Sequence, residues 1–144
     1  LLSPIARKKV VEIENKIQRS VEVYADNDMV KLILRNLLSN AIKFSHSRTT
    51  IILDLREDND HVIISVKDQG LGISNENQDK LFKYENFSTY GTSNEKGMGL
   101  GLLLCKDFIE RSGGKIWYES ELEKGSIFYF TLPTKVPVSA QIQS

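Results

Sequence analysis

The sequence predicts a single α+β domain of amphipathic helices and β-hairpins. Three observations carry that expectation. The stretch 27–44 repeats apolar residues at helical spacing. Two pairs of short apolar runs, 48–57 with 61–69 and 115–120 with 126–132, are joined by polar turns and read as hairpins. A second helical stripe, Leu102, Cys105, Phe108 and Ile109, follows a glycine-rich loop at 96–101. At 144 residues the chain can bury a substantial core as one domain.

Bulk charge narrows the functional classes. Lys+Arg and Asp+Glu balance at 19 each, so no global field draws the chain to nucleic acid or to an anionic membrane. An anionic ligand must therefore be held by local geometry. No apolar run reaches membrane-spanning length, and no signal peptide is visible. Cys105, inside an apolar helical pattern, reads as a small buried hydrophobe in a reducing compartment. The chain opens on Leu1 rather than Met, which suggests a fragment of something longer.

Taken in order, Ser3-Pro4 opens a short helical lead-in, and Val11, Ile13 and Ile17, then Val21 and Val23, suggest two short strands. Asp26 is placed to cap the next helix. In 27–44, Val30, Ile33, Leu34, Leu37, Ala41 and Phe44 share one face, while Lys31, Arg35 and Ser39 point away. Asn36, Asn40 and Lys43 fall within roughly 60° of one another at the margin of that face. They form either a solvated flank or a polar row aimed at a ligand. Asparagine is a mediocre helix former, so a pair on one edge draws attention.

The first hairpin turns through Asp58-Asn59-Asp60. Alternation in its second strand puts Val62, Ile64, Val66 and Asp68 on one side. Asp68 then either caps the following turn or places a carboxylate on a buried face, which requires hydrogen bonds. Gly70 and Gly72 follow, so a buried acid stands beside backbone stripped of side chains, a slot for a flat ligand. Ser74 can cap a short helix running to Phe82, and 83–96 read as a long polar lid. Ser112-Gly113-Gly114 ends the second long helix, Pro133 ends the sheet, and 137–144 read as a tail or linker after a domain spanning 1–136.

The loop Lys96-Gly97-Met98-Gly99-Leu100-Gly101-Leu102 feeds a helix N-terminus, whose free N–H groups and dipole suit phosphate oxygens. A linker or a tight helix-packing site is the other reading. A Rossmann site is excluded because the third glycine of G-x-G-x-x-G is missing, and no Walker A lysine pattern exists.

With these residues in view, the chain resembles the ATP-binding catalytic domain of bacterial sensor histidine kinases, in the superfamily that also contains gyrase and MutL. The resemblance runs from about residue 5 to Pro133. Residues 36–45 are similar to the N box, 68–73 to the first glycine box, 81–87 to the F box and 96–102 to the second glycine box. It implies a two-layer α/β sandwich of the Bergerat type, with a mixed, mostly antiparallel sheet covered on one face by about three helices.

The resemblance also implies roles. An ionised Asp68 would accept a hydrogen bond from the adenine amino group, and Gly70, Gly72 and Ile73 would border the base. Asn40 would ligate Mg²⁺, Asn36 would support the metal and its waters, and Lys43 would neutralise phosphate charge. Gly97, Gly99 and Gly101, with the N–H groups near Leu100 and Leu102, would wrap the phosphates, and Lys96 would supply the cation that the family usually takes from an arginine in the lid. ATP with Mg²⁺ would donate its γ-phosphoryl group to a histidine on a dimerisation and phosphotransfer domain, and thence to a response regulator receiver domain. Neither His46 nor His61 lies in the acceptor motif, so that histidine is expected outside this chain, which by itself would be monomeric. The lobe would face the cytoplasm, although sensor kinases are often membrane-anchored; no contact with nucleic acid or membrane is expected.

Departures from the family pattern are local. Met98 stands where threonine is usual, Phe82 and Phe87 are five apart rather than three, and no arginine follows, which leaves Lys83 and Lys96 as the nearest cations. They keep open a degenerate module that binds nucleotide, or merely a partner, without transfer. A gyrase-type hydrolase ranks lower, because Asn36 occupies the place of the glutamate base and an amide takes no proton at neutral pH.

Overall fold

The computed structural model describes residues 3–18, 20–78, 81–82 and 101–135. The lid 83–96, with Phe87, Lys83, Met98 and most of the second glycine loop (Lys96, Gly97, Gly99, Leu100), and the tail 137–144 lie outside the described residues.

Among the described residues nine elements follow in order: α1 (Ser3–Lys9), β1 (Glu12–Asn15), α2 (Asn27–Phe44), β2 (Thr50–Asp58), β3 (His61–Lys67), the single turn α3 (Asn75–Gln78), α4 (Gly101–Arg111), β4 (Ile116–Glu121) and β5 (Gly125–Pro133). The strands form one sheet in the order β1-β2-β3-β5-β4. Only β1 and β2 run parallel; the remaining pairs are antiparallel. The expected mixed, mostly antiparallel sheet is therefore present.

Strand register explains the single core. Leu53 faces Val66, Leu55 faces Ile64, Val62 faces Leu132, Ile64 faces Phe130, and Ile116 faces Phe130 from the other side. Leu53, Val62, Ile64, Val66, Phe130 and Leu132 join Ile33, Leu37 and Ala41 of α2 and Leu102, Cys105 and Ile109 of α4 in one buried cluster, and Leu55 and Ile116 pack against it half-buried. Phe130 and Ile109 have no exposed surface, so burial of large side chains supplies the main stabilising term. On the opposite side of the sheet Asp54, Arg56, Lys67 and Glu119 are exposed, and Trp117 stacks on Tyr129 with ring centroids 5.2 Å apart.

The caps agree with the sequence. Asp26 accepts from the N–H groups of Asp28 and Met29 at 2.9 and 3.3 Å, which satisfies the open N-terminus of α2. At its other end the Lys9 ammonium donates to the carbonyls of Ile42 and Lys43 at 2.9 and 2.8 Å. Gly113, at φ 88°, ends α4, with Gly114 N–H donating to the Ile109 carbonyl at 2.8 Å and Gly113 N–H to Glu110 at 3.1 Å. The β2–β3 turn is the pair Asn59-Asp60, with Asn59 in the left-handed region that asparagine tolerates.

Two expectations fail. The helix expected from Ser74 to Phe82 is, among the described residues, the single turn Asn75–Gln78, and Leu81 and Phe82 lie in a turn. Val21 and Val23 alternate like a strand, yet 20–25 join no ladder; the segment is tied down by Tyr24 N–H donating to the Pro133 carbonyl at 2.7 Å. Alternation reports a half-buried extended segment, and a strand further requires a neighbour with free backbone groups.

Candidate functional site

The site is organised along α2. Asn36 and Asn40 are half-buried on its edge, whereas Lys43 is buried, only 6% exposed, with its ammonium 4.5 Å from the centroid of the Phe44 ring. Helical position alone places Lys43 on the margin; in the folded chain it is buried. Phe44 carbonyl accepts from Leu71 N–H at 3.0 Å, and Ser45 pairs with Gly70. This contact needs a glycine: a Cβ on Gly70 would sit inside contact distance of the Phe44 carbonyl oxygen. The end of α2 and the loop that follows β3 are thereby locked together.

Two turns earlier, Asn36 meets the start of α4. Its Nδ2 donates to the Cys105 thiol at 3.6 Å. Eight residues of helix separate Asn36 from Phe44, so the two contacts lie about 12 Å apart along one edge. That spacing suits an elongated ligand with a base at one end and phosphates at the other. Gly101 and Leu102, the described part of the second glycine box, begin α4 beside Asn36.

Asp68 lies just before the loop that is locked to the end of α2. It is 5% exposed, on the inward side with Val62, Ile64 and Val66, as its alternation predicts. Its backbone N–H donates to the Ser126 carbonyl at 2.9 Å, and the Ser126 N–H donates to Asp68 Oδ1 at 3.3 Å. Among the described residues this is the only hydrogen bond on the carboxyl. Burial pushes its pKa up to about 7, against the lowering effect of the Ser126 N–H. With a pKa of about 7 the carboxyl populates both forms near neutral pH.

Gly72, at φ 68°, sits where a side chain would strike the Glu121 carbonyl. Ile73 N–H donates to Ser120 Oγ at 2.8 Å. Ser120 and Ser126 were absent from the residues singled out in the sequence. Their signal is the one that marked Asp68, a polar residue continuing an inward apolar row, here Ile116, Tyr118, Ser120.

Fit to the ligands implied by the resemblance can be judged on the donor set. A buried carboxyl with one of its oxygens unbonded suits an exocyclic amino group. Among the described residues no cluster of three or more His, Cys, Asp or Glu could hold a metal. A cation here would take an amide oxygen, ligand phosphates and waters, an all-oxygen set of the kind Mg²⁺ prefers. No hydrogen bond engages the Asn40 side chain among the described residues, so its oxygen is available.

A mixed five-stranded sheet with its helices on one face, a buried acid at a strand end and a glycine loop against a helix constitute a Bergerat-type ATP-binding fold. The chain belongs to the family of histidine kinase-, DNA gyrase B-, and HSP90-like ATPases, whose model matches residues 25–136, and within it to the ATP-binding catalytic domains of sensor histidine kinases. An adaptive-response sensory kinase SasA of Prochlorococcus marinus is 44% identical over 113 residues, covering 77% of this chain and 29% of that protein. The sensor histidine kinase WalK of Bacillus subtilis (strain 168) is 36% identical over 126 residues, 85% of this chain and 21% of that protein. The chain therefore spans less than a third of either relative. Among solved structures, the catalytic domain of histidine kinase ThkA superposes with a TM-score of 0.75 at 32% identity, covering 92% of this chain and 85% of that one. Full-length ShkA in complex with AMPPNP gives a TM-score of 0.75 at 27% identity, covering 94% of this chain and 28% of that one. No helix among the described residues is long and apolar enough to cross a membrane.

Proposed function

We propose that this chain binds Mg²⁺-ATP and acts as the phosphoryl-donating lobe of a two-component sensor histidine kinase. The acceptor is a histidine on a dimerisation domain outside this chain, and the phosphoryl group then passes to a response regulator receiver domain. The observation that carries the reading is the buried, half-satisfied carboxyl of Asp68 at the end of β3.

Ionised Asp68 accepts from the adenine amino group. Guanine presents an acceptor at the same place, so two acceptors would face each other without a proton, a mismatch that discriminates strongly. Gly70 and Gly72 let the base approach the backbone, and Ile73 borders it. Asn40 supplies an amide oxygen to Mg²⁺, Asn36 orients its waters, and Lys43 offsets phosphate charge. Bound Mg²⁺ would neutralise the charge that develops on the phosphates, so the protein's part is positioning and electrostatics. The loop residues Lys96, Gly97, Gly99 and Leu100, with Gly101 and Leu102, supply N–H groups to the phosphates.

Asn36 also argues against a hydrolase. Its amide is engaged with a thiol and has no basic site with which to activate water. The lobe is placed in the cytoplasm, where ATP and response regulators reside.

The deciding experiment mixes the chain with γ-labelled ATP, Mg²⁺ and a histidine kinase dimerisation domain. Acid-labile, base-stable phosphohistidine on that domain is expected. Tight binding without transfer would leave a degenerate module, and rapid release of inorganic phosphate without the acceptor would favour a hydrolase. ATP should bind well ahead of GTP; equal affinities would remove Asp68 from its role.

A further inference from the structure

We propose that Ser120 is a positioning residue for the base end of the site, its one hydroxyl fixing both the glycine loop at Ile73 and the strand that backs Asp68. The inference rests on the nucleotide reading above and adds to it a residue from β4, an element outside the four motif stretches.

Ser120 lies opposite Ser126 in the β4–β5 ladder. Its Oγ accepts from Ile73 N–H at 2.8 Å and lies 2.7 Å from Ser126 Oγ, with the Gly125 carbonyl at 3.4 Å. Ser126 in turn makes two hydrogen bonds to Asp68, its carbonyl accepting from the Asp68 backbone N–H at 2.9 Å and its own N–H donating to Asp68 Oδ1 at 3.3 Å. The loop after β3 is therefore bonded to the Ser120 oxygen directly, and the Asp68 carboxyl is linked to it through Ser126.

The surroundings make that oxygen hard to replace. Gly72 presses so closely on Glu121 that no side chain fits, and Glu123 N–H donates to the Leu71 carbonyl at 2.6 Å. Backbone contacts thus seat the middle of the loop on the β4–β5 turn, and the Ser120 hydroxyl holds its end. Ile116 and Tyr118, the preceding inward residues of β4, pack against the core. A third apolar residue would continue that row but would leave the part-buried Ile73 N–H and the Ser126 hydroxyl without this partner. A hydroxyl has one proton and two lone pairs, enough to take the Ile73 N–H and still exchange a bond with Ser126.

The test uses the chain carrying Ser120→Ala or Ser120→Thr, titrated calorimetrically with Mg²⁺-ATP and Mg²⁺-GTP, with amide exchange read at Ile73. Alanine is expected to weaken ATP binding about 5- to 10-fold and GTP binding less than about twofold, so that the ATP-to-GTP ratio narrows. Exchange at Ile73 should quicken about tenfold in the same variant. Threonine, which keeps the hydroxyl and suits a strand, should bring affinity back to within about twofold of the parent. An alanine variant that binds ATP like the parent overturns the inference, as does an equal loss for both nucleotides or a threonine variant that fails to recover. A parent chain that binds neither nucleotide removes the nucleotide reading itself, and this inference with it.

Discussion

Asn36 Oδ1 stands 3.0 Å from the point that a Cβ on Gly101 would occupy, so the helix carrying the two amides and the helix after the second glycine loop meet where a single methyl group is tight. Asn36 is held in that position by its bond to Cys105, one turn further along α4. Gly101→Ala should push the amide aside by a few tenths of an ångström. We expect Mg²⁺-ATP affinity to fall about 3- to 10-fold while stability changes by about 1 kcal/mol or less, since Asn36 is half-buried and can shift. Calorimetric titration beside a thermal melt separates the two; unchanged affinity would show that Asn36 has no part at the phosphate end.

Nucleotide binding should depend on pH through Asp68. With its pKa at about 7 before nucleotide binds, ATP must either find the carboxylate ionised or expel its proton. Affinity should rise about tenfold per pH unit well below 7 and level off above it. Protonated Asp68 can donate to a guanine carbonyl, so the ATP-to-GTP ratio should shrink in the acid limb. Titrations from pH 5.5 to 8.5 check both statements, and Asp68→Asn should flatten the ATP curve.

The same carboxyl destabilises the domain when no nucleotide is bound. Its pKa rises from 3.8 unfolded to about 7 folded, so between these values the folded state holds a proton that the unfolded state has released. Stability therefore falls as pH rises through that window, by at most about 4 kcal/mol, and the loss is complete above it. Asp68→Asn keeps an acceptor for Ser126 N–H and removes the charge. It should melt at higher temperature than the parent at pH 8 and at nearly the same temperature at pH 4, while losing ATP selectivity. A variant that melts lower at pH 8 would contradict the burial argument.

Gly70→Ala is the substitution expected to do most damage to the fold. The added methyl would overlap the Phe44 carbonyl, and neither backbone can yield without parting the loop from α2. A loss of about 3 kcal/mol or more is expected in urea unfolding, together with loss of nucleotide binding. A variant within about 1 kcal/mol of the parent would mean that the loop has slack which the structure does not display.

Cys105 should be chemically quiet. It is 2% exposed and burial pushes its thiol up to about 11, against the lowering effect of the Asn36 hydrogen bond. Folded chain should react with a thiol reagent at pH 8 at least about a hundredfold more slowly than chain in denaturant. Comparable rates would place the thiol at the surface.

Periodicity made the elements legible where one side of each is wet and the other dry. The α2 stripe, the inward row ending in Asp68 and the Asn59-Asp60 turn all follow from local chemistry, because capping and alternation act over a few residues. Partner choice is another matter. Nothing local says that β1 runs parallel to β2 or that β5 inserts between β3 and β4, and the extended residues Val21 and Val23 look like a strand until the absence of a ladder is seen. The depth of Lys43 and the junction at Ser120 were hidden for the same reason, since both depend on a chain segment distant in sequence arriving at a given height. The ordered motif stretches drew attention to the acid, the amides and the glycines; the serines behind the acid belong to no such stretch.

Lys9 reaches from α1 to the carbonyls of Ile42 and Lys43, while the next residue, Val10, holds a left-handed backbone (φ 62°) that a β-branched side chain adopts only under constraint. The amino-terminal helix is accordingly lashed to the last turn of α2 by one ammonium and followed by a cocked joint. Traction on that helix therefore has a direct route, along the Lys9 side chain, to the backbone carrying Lys43.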